Sequence, residues 1–134
     1  MTIKTYQGGC HCGAVRYQVE VDLQMGTGRC NCSFCGKTRA WSAQVKPPQF
    51  TLLTGEDQLG AYRFGTHAGE HLFCKTCGVR SFGRGYVEQI GGAFVSIQVA
   101  CLDMSDEERA SLPVTFQDGR DNNWWNEPKV TSYL

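Results

Sequence analysis

Seven of the eight cysteines in this chain fall into three short groups. Cys10 and Cys12 stand in GGCHCG, Cys30, Cys32 and Cys35 in RCNCSFCGK, and Cys74 and Cys77 in HLFCKTCGV; Cys101 stands alone in VACLD. Zinc takes thiolates arranged as a tetrahedron around one point, at about 2.3 Å each. A C-x-x-C turn brings two sulfurs to one side, and a C-x-C pair on an extended segment puts both side chains on one face. Gly36 and Gly78 follow the second cysteine of the two C-x-x-C turns and are expected to take positive φ there, while Gly9 and Gly13 relieve crowding around the first pair. A single C-x-x-C reads equally well as a redox dithiol. Three groups together favour metal, and their spacing fits neither ferredoxin pattern.

Seven thiols divide naturally into four and three. Four thiolates close a structural zinc site; three leave a position for water or substrate, as catalytic zinc sites do. Cys10 and Cys12 with Cys74 and Cys77 would make the four-ligand site, leaving Cys30, Cys32 and Cys35 as the three-ligand site. The rival grouping joins Cys32 and Cys35 to Cys74 and Cys77 as in a zinc ribbon, with Cys10, Cys12 and Cys30 left over. Economy favours the first, and spacing alone leaves both open. Around these groups, His11 sits between two cysteines and reads as a turn residue. His71 precedes Cys74 and is a candidate general base, although a supporting or surface role suits it better. Phe34 lies inside the three-cysteine segment, to wall the open position or to pack the turn.

The elements that must carry these groups read as strands. Residues 13–21 alternate, with Val15, Tyr17, Val19 and Val21 on one face. Shorter strands are expected at residues 3–7, 40–45, 50–53, 59–64 and 94–99, with Gly91-Gly92 breaking the chain before the last. Residues 30–36 are expected to form a knuckle, and residues 79–82 follow the second one. The one helical signal is at Ser105, an N-cap with Glu108 at the capping-box position, limited by Pro113. The whole chain, residues 1–134, reads as a single, mainly β domain. Trp124 and Trp125 are adjacent, so a regular strand buries at most one. The other is left to cover the site or to meet a second copy in a homo-oligomer.

Bulk composition narrows the function classes. Thirteen Lys and Arg balance thirteen Asp and Glu, so nothing favours a polyanion, and nucleic acid is not an expected partner. The first residues carry no secretory pattern, and no apolar run reaches membrane-spanning length. The expected location is therefore the cytoplasm, where grouped cysteines bind metal more often than they form disulfides. No membrane association is expected.

With these motifs on the page, the chain resembles the glutathione-dependent formaldehyde-activating enzyme family, which includes centromere-protein-V-like domains. The resemblance rests on GGCHCGAVRY at 8–17, CNCSFC at 30–35, YRFG at 62–65, HLFCKTCG at 71–78 and VACLD at 99–103. It implies a small zinc-binding fold of packed antiparallel sheets. It also implies two zinc ions: a structural one on Cys10, Cys12, Cys74 and Cys77, and a catalytic one on Cys30, Cys32 and Cys35. Cys101 is not an expected ligand. The implied activity is that of a zinc-dependent carbon–sulfur lyase acting on a thiol–aldehyde adduct and forming S-hydroxymethylglutathione from formaldehyde and glutathione. The partner is then a small thiol such as glutathione, whose carboxylates need cations. Arg29, Lys37, Arg39, Arg63, Lys75 and Arg80 are the candidates, with Lys37 and Arg39 favoured by their place after the three-cysteine segment. Three thiolates weaken the metal as a Lewis acid, which favours thiol activation over carbonyl polarisation. The alternative is a zinc-stabilised binding or scaffold protein without catalysis.

Overall fold

The alternating segment becomes the centre of a small sheet. In the computed structural model, which describes residues 2–134, β2 (Arg16–Val21) lies between β1 (Lys4–Gly9) and β5 (Phe50–Thr54), antiparallel to both. Val15, Tyr17, Val19 and Val21 are all buried, as period-two patterning requires of one strand face. That face packs on a second sheet. Its seven strands run in the order β10 (Val114–Gln117), β3 (Thr27–Cys30), β4 (Ser42–Val45), β9 (Gly92–Gln98), β8 (Phe82–Val87), β7 (Glu70–Cys74) and β6 (Leu59–Tyr62).

Aromatic packing and one hydrogen bond join the layers. Tyr17 and Phe50 of the small sheet meet Phe82 of the large one, with ring centroids 5.5 Å and 4.7 Å from it. The buried Tyr17 hydroxyl donates to the Ser81 carbonyl at 3.0 Å, so its polar end is satisfied inside the core. Ile97 and Val99 complete the facing surface, both fully buried.

The fold is mainly β and packs two sheets, but it is not wholly antiparallel. β10 runs parallel to β3, pairing Val114 with Thr27 through Gln117 with Cys30. The chain reaches that edge after a short helix, α2 (Asp106–Ala110), which turns it back. Ser105 caps α2 as expected, its hydroxyl accepting from the Glu108 amide at 3.1 Å. The Glu108 carboxylate does not complete a capping box. It accepts from the Tyr6 hydroxyl instead and fastens α2 to β1.

Three local expectations change. Residues 30–36 do not form a simple knuckle: Cys30 ends β3, and a short helix, α1 (Ser33–Thr38), follows. Gly36 lies within that helix, not at positive φ, and the left-handed residue is Arg39 at its end. Gly78 and Gly13 do take positive φ, at 78° and 87°. The strand β8 was hidden by its glycines, which carry no hydrophobic signal. They are needed there: a Cβ on Gly83 would sit 2.6 Å from the Glu70 carbonyl, and one on Gly85 2.5 Å from the Phe94 ring. The expected break at Gly91-Gly92 is present, both at positive φ, but β9 already begins at Gly92.

Candidate functional site

The fold brings seven cysteines together in two groups. Cys10 and Cys12 follow β1, and Cys74 and Cys77 follow from the end of β7; their four sulfurs lie within 4.8 Å of one another. The Cys10–Cys12 and Cys12–Cys74 sulfur separations are both 3.7 Å. A tetrahedron with metal–sulfur bonds of about 2.3 Å has edges of about 3.8 Å, whereas a disulfide would bring the sulfurs to about 2 Å. All eight cysteines are free. Cys30, Cys32 and Cys35 form the second group, also within 4.8 Å. The zinc-ribbon grouping is thereby excluded, and Cys101 stands outside both clusters. In spacing and donor type both clusters can hold metal ions.

Backbone amides prepare these sulfurs to carry charge. In the four-cysteine cluster Val15 N–H points to Cys10 Sγ at 3.3 Å and Thr76 N–H to Cys74 Sγ at 3.4 Å. The amides of Val79 and Cys12 help hold the Cys77 thiol down to about 6, and the Cys77 and Thr76 amides lower that of Cys74. The turn is fixed by Gly78 N–H donating to the Cys74 carbonyl at 2.8 Å. Because Cys10 leaves the small sheet and Cys74 ends a strand of the large one, this cluster sits where the two layers meet.

The three-cysteine cluster is local. Cys32 is the N-cap of α1, its sulfur accepting from Cys35 N–H at 3.3 Å, while Cys32 N–H points to Cys30 Sγ at 3.3 Å. Hydrogen bonds from the Cys30 and Cys35 thiols, with the Cys35 and Phe34 amides, hold the Cys32 thiol well below its ordinary value. Its neighbours are pushed up in turn, first because their thiols hold hydrogen bonds to the other sulfurs of the cluster, with burial and charge repulsion adding to this. β3 and β4 share a single register pair, Gly28 with Ser42, so the chain between them is free to fold into this site.

Two walls flank the cluster. On one side Phe34 stacks on His71 with centroids 4.0 Å apart, and Tyr62 and Phe64 stack around them. The Arg80 guanidinium lies 4.8 Å from the centre of the Phe34 ring. Burial lowers the pKa of both His71 and Arg80, and the nearby charge of Arg80 reinforces this for His71. Phe34 is thus part of a stacked wall. On the other side lies the segment after β10. The buried Asn31 side chain donates to Asp118 at 2.9 Å and accepts from the Arg120 amide at 2.9 Å. Gly119 passes so close that a Cβ there would sit 2.6 Å from both Cys30 Sγ and the Trp124 ring.

The remaining expected residues scatter. His11 is exposed, as a turn residue would be. Arg63 pairs with Glu70, Arg29 stacks over Trp41 at 4.9 Å, and Lys37, Arg39 and Lys75 are exposed. Of the aromatic wall only Phe34 was expected, without its partners Tyr62 and Phe64, and the Asn31–Asp118–Arg120 lock was missed. Their parts are far apart in the chain, and only the pairing of β10 with β3 brings the second set together. Trp124 and Trp125 are both exposed, with Trp124 the one at the site.

Known proteins resemble this chain in sequence and fold. A Halomonas elongata protein named as a candidate glutathione-dependent formaldehyde-activating enzyme is 33% identical over 79 residues, covering 53% of this chain and 50% of that protein. The match therefore spans about half the length of that relative. A Rhodobacter sphaeroides protein of known crystal structure superposes with a TM-score of 0.67 at 31% identity, covering 81% of this chain and 99% of the other. The family model described as glutathione-dependent formaldehyde-activating enzyme matches residues 5–117, a stretch that includes both cysteine clusters and the strands bearing them. By that match this chain belongs to the glutathione-dependent formaldehyde-activating enzyme family.

Proposed function

We propose that the chain is a zinc-dependent carbon–sulfur lyase that interconverts formaldehyde and glutathione with S-hydroxymethylglutathione. Cys10, Cys12, Cys74 and Cys77 would hold a structural ion, and Cys30, Cys32 and Cys35 a catalytic one. The observation that carries this reading is the three-sulfur cluster, with no fourth cysteine sulfur in its group and two walls of different chemistry beside it. A zinc ion held by three thiolates supplies an open coordination position and lowers the pKa of a thiol that occupies it.

The chain's own residues set the rest. In the forward direction the substrate sulfur attacks the formaldehyde carbon and one C–S bond forms. The carbonyl π pair moves to oxygen, and the proton lost by the thiol ends on that oxygen. No redox partner is required. The amides of Cys32 and Cys35 pointing at sulfur spread the charge of the ligand set. The stack of Phe34, His71, Tyr62 and Phe64 gives one flat, apolar side that displaces water from the adduct. His71 is held neutral on that side, since burial and Arg80 lower its pKa.

NMR exchange spectroscopy of formaldehyde and glutathione with the zinc-loaded protein tests this directly. Exchange between free and adducted formaldehyde is expected to accelerate with wild type and to return to the buffer rate with Cys32→Ala. A buffer rate with wild type rejects the reaction. An unchanged acceleration by Cys32→Ala rejects the site.

A further inference from the structure

The segment after β10 does more than close one side of the three-cysteine cluster. Together with the last residues of the chain it encloses an open cleft of about 670 Å³, within the roughly 300–1,000 Å³ of small-molecule sites. Asn31 lies in its floor, and Arg120, Asp121, Glu127, Lys129 and Tyr133 line it. The four charged side chains are exposed, and none of them forms a salt bridge among the described residues. Two positive and three negative groups therefore line one cavity; the buried Asp118 is engaged by Asn31, and the other four face the cleft without a salt bridge.

The cleft and the cysteine cluster share a wall. Asn31 stands between Cys30 and Cys32 in the chain, and its side chain is fully engaged in the cleft floor with Asp118 and the Arg120 amide. The Arg120 guanidinium comes within 3.5 Å of the Tyr133 hydroxyl and 4.0 Å of where a Gly36 Cβ would stand, one residue past Cys35. Arg120 is thus placed beside the chain at Cys32 and at Cys35 alike. A tail of two or three residues spans roughly 10 Å when extended.

Resting on the proposed reaction, we infer that this cleft is the subsite for the zwitterionic glutamyl end of a peptide thiol. Arg120 and Lys129 take the α-carboxylate, Arg120 with its planar fork and Lys129 as a point charge. Asp121 and Glu127 take the α-ammonium. A simple alkyl thiol has neither group and gains nothing from the cleft. The site so built selects γ-glutamyl peptide thiols by the charge pattern of the end farthest from the sulfur. Arg120 is a specificity residue here, and it lies outside the cations expected from the sequence.

Calorimetric titration of S-methylglutathione into the zinc-loaded full-length protein tests the subsite apart from the reaction, because the blocked sulfur cannot form the adduct. Wild type is expected to bind it roughly ten-fold or more tightly than S-methylcysteinylglycine, which lacks the glutamyl end. Arg120→Gln and Lys129→Gln should each remove most of that preference with zinc content and melting unchanged, and Arg120→Lys should keep part of it. Equal affinity of wild type for the two ligands overturns the subsite, as does full preference in both glutamine variants. If Arg120→Gln loses zinc or unfolds, Lys129→Gln alone decides. A protein that binds S-methylglutathione selectively but does not accelerate exchange keeps the cleft and loses the reaction. One that accelerates exchange without the preference keeps the reaction and loses the cleft.

Discussion

At the scale of single residues, the two cysteine clusters differ in what depends on them. Cys74 joins segments 62 residues apart from Cys12, whereas Cys30, Cys32 and Cys35 lie within six positions. Cys74→Ala should therefore cost the fold at least about 3 kcal/mol, or roughly ten degrees in melting temperature, on the scale of structural zinc sites. Cys32→Ala should leave the melting transition within about 1 kcal/mol of wild type. Zinc per chain, measured by mass spectrometry, should fall from two to one in Cys32→Ala; a value of two would show that Cys32 is no ligand. Gly119 offers a test that spares every ligand. Its missing side chain makes room for Cys30 Sγ and Trp124, so Gly119→Ala should weaken metal at the three-cysteine site by roughly ten-fold, the scale of losses from groups that support ligands. Competition with a coloured chelator reads this, and an unaltered affinity would show that the segment yields easily.

At the scale of elements, Glu108 ties α2 to β1, accepting from the Tyr6 hydroxyl and pairing with Lys4 at 3.6 Å. The Tyr6 hydroxyl is pushed up to about 12, first by burial and then by its hydrogen bond to Glu108. A tyrosine with a folded pKa above its ordinary value of 10 contributes stability that is complete below pH 10 and fades as pH rises toward 12. Urea unfolding across that window should show the decline in wild type and much less of it in Tyr6→Phe. The variant should lose about 1–2 kcal/mol at neutral pH. An identical alkaline decline in the variant would place the titrating group elsewhere. Elements were unevenly legible from sequence. β2 was clear because four apolar residues alternate, and Ser105 announced α2. β8 was not, because Gly83 and Gly85 are placed for their neighbours' bulk. Nor was α1, whose cap is a cysteine that reads first as a ligand. The candidate site was legible where its residues are near in sequence. The Asn31–Asp118 contact spans 87 residues, and no local pattern predicts it.

At the scale of the whole molecule, one cluster joins two layers and the other follows the end of a single strand, β3. No helix among the described residues is long and apolar enough to cross a membrane. Chelation should proceed in two steps. The first ion should leave with little change in far-ultraviolet circular dichroism, because the three-cysteine site is open and local. Loss of the second should coincide with unfolding, since nothing covalent replaces the link between the Cys10–Cys12 and Cys74–Cys77 segments. A single cooperative step, with both ions and the fold lost together, would show that the three-cysteine site is as integral as the four-cysteine one.

The parallel pairing of β10 with β3 also orders events during synthesis. Cys30 to Cys35 leave the ribosome long before Asp118, which follows Asn31 by 87 residues. At roughly 5–20 residues per second, that interval is about 4 to 17 seconds. Throughout it the three thiols are present without their rear wall, and Asn31 lacks its buried partners. The nascent chain passes through a stage in which these sulfurs are open to oxidants and to competing metals. Correct loading of this centre is then a race between completing the last strand and losing the thiols.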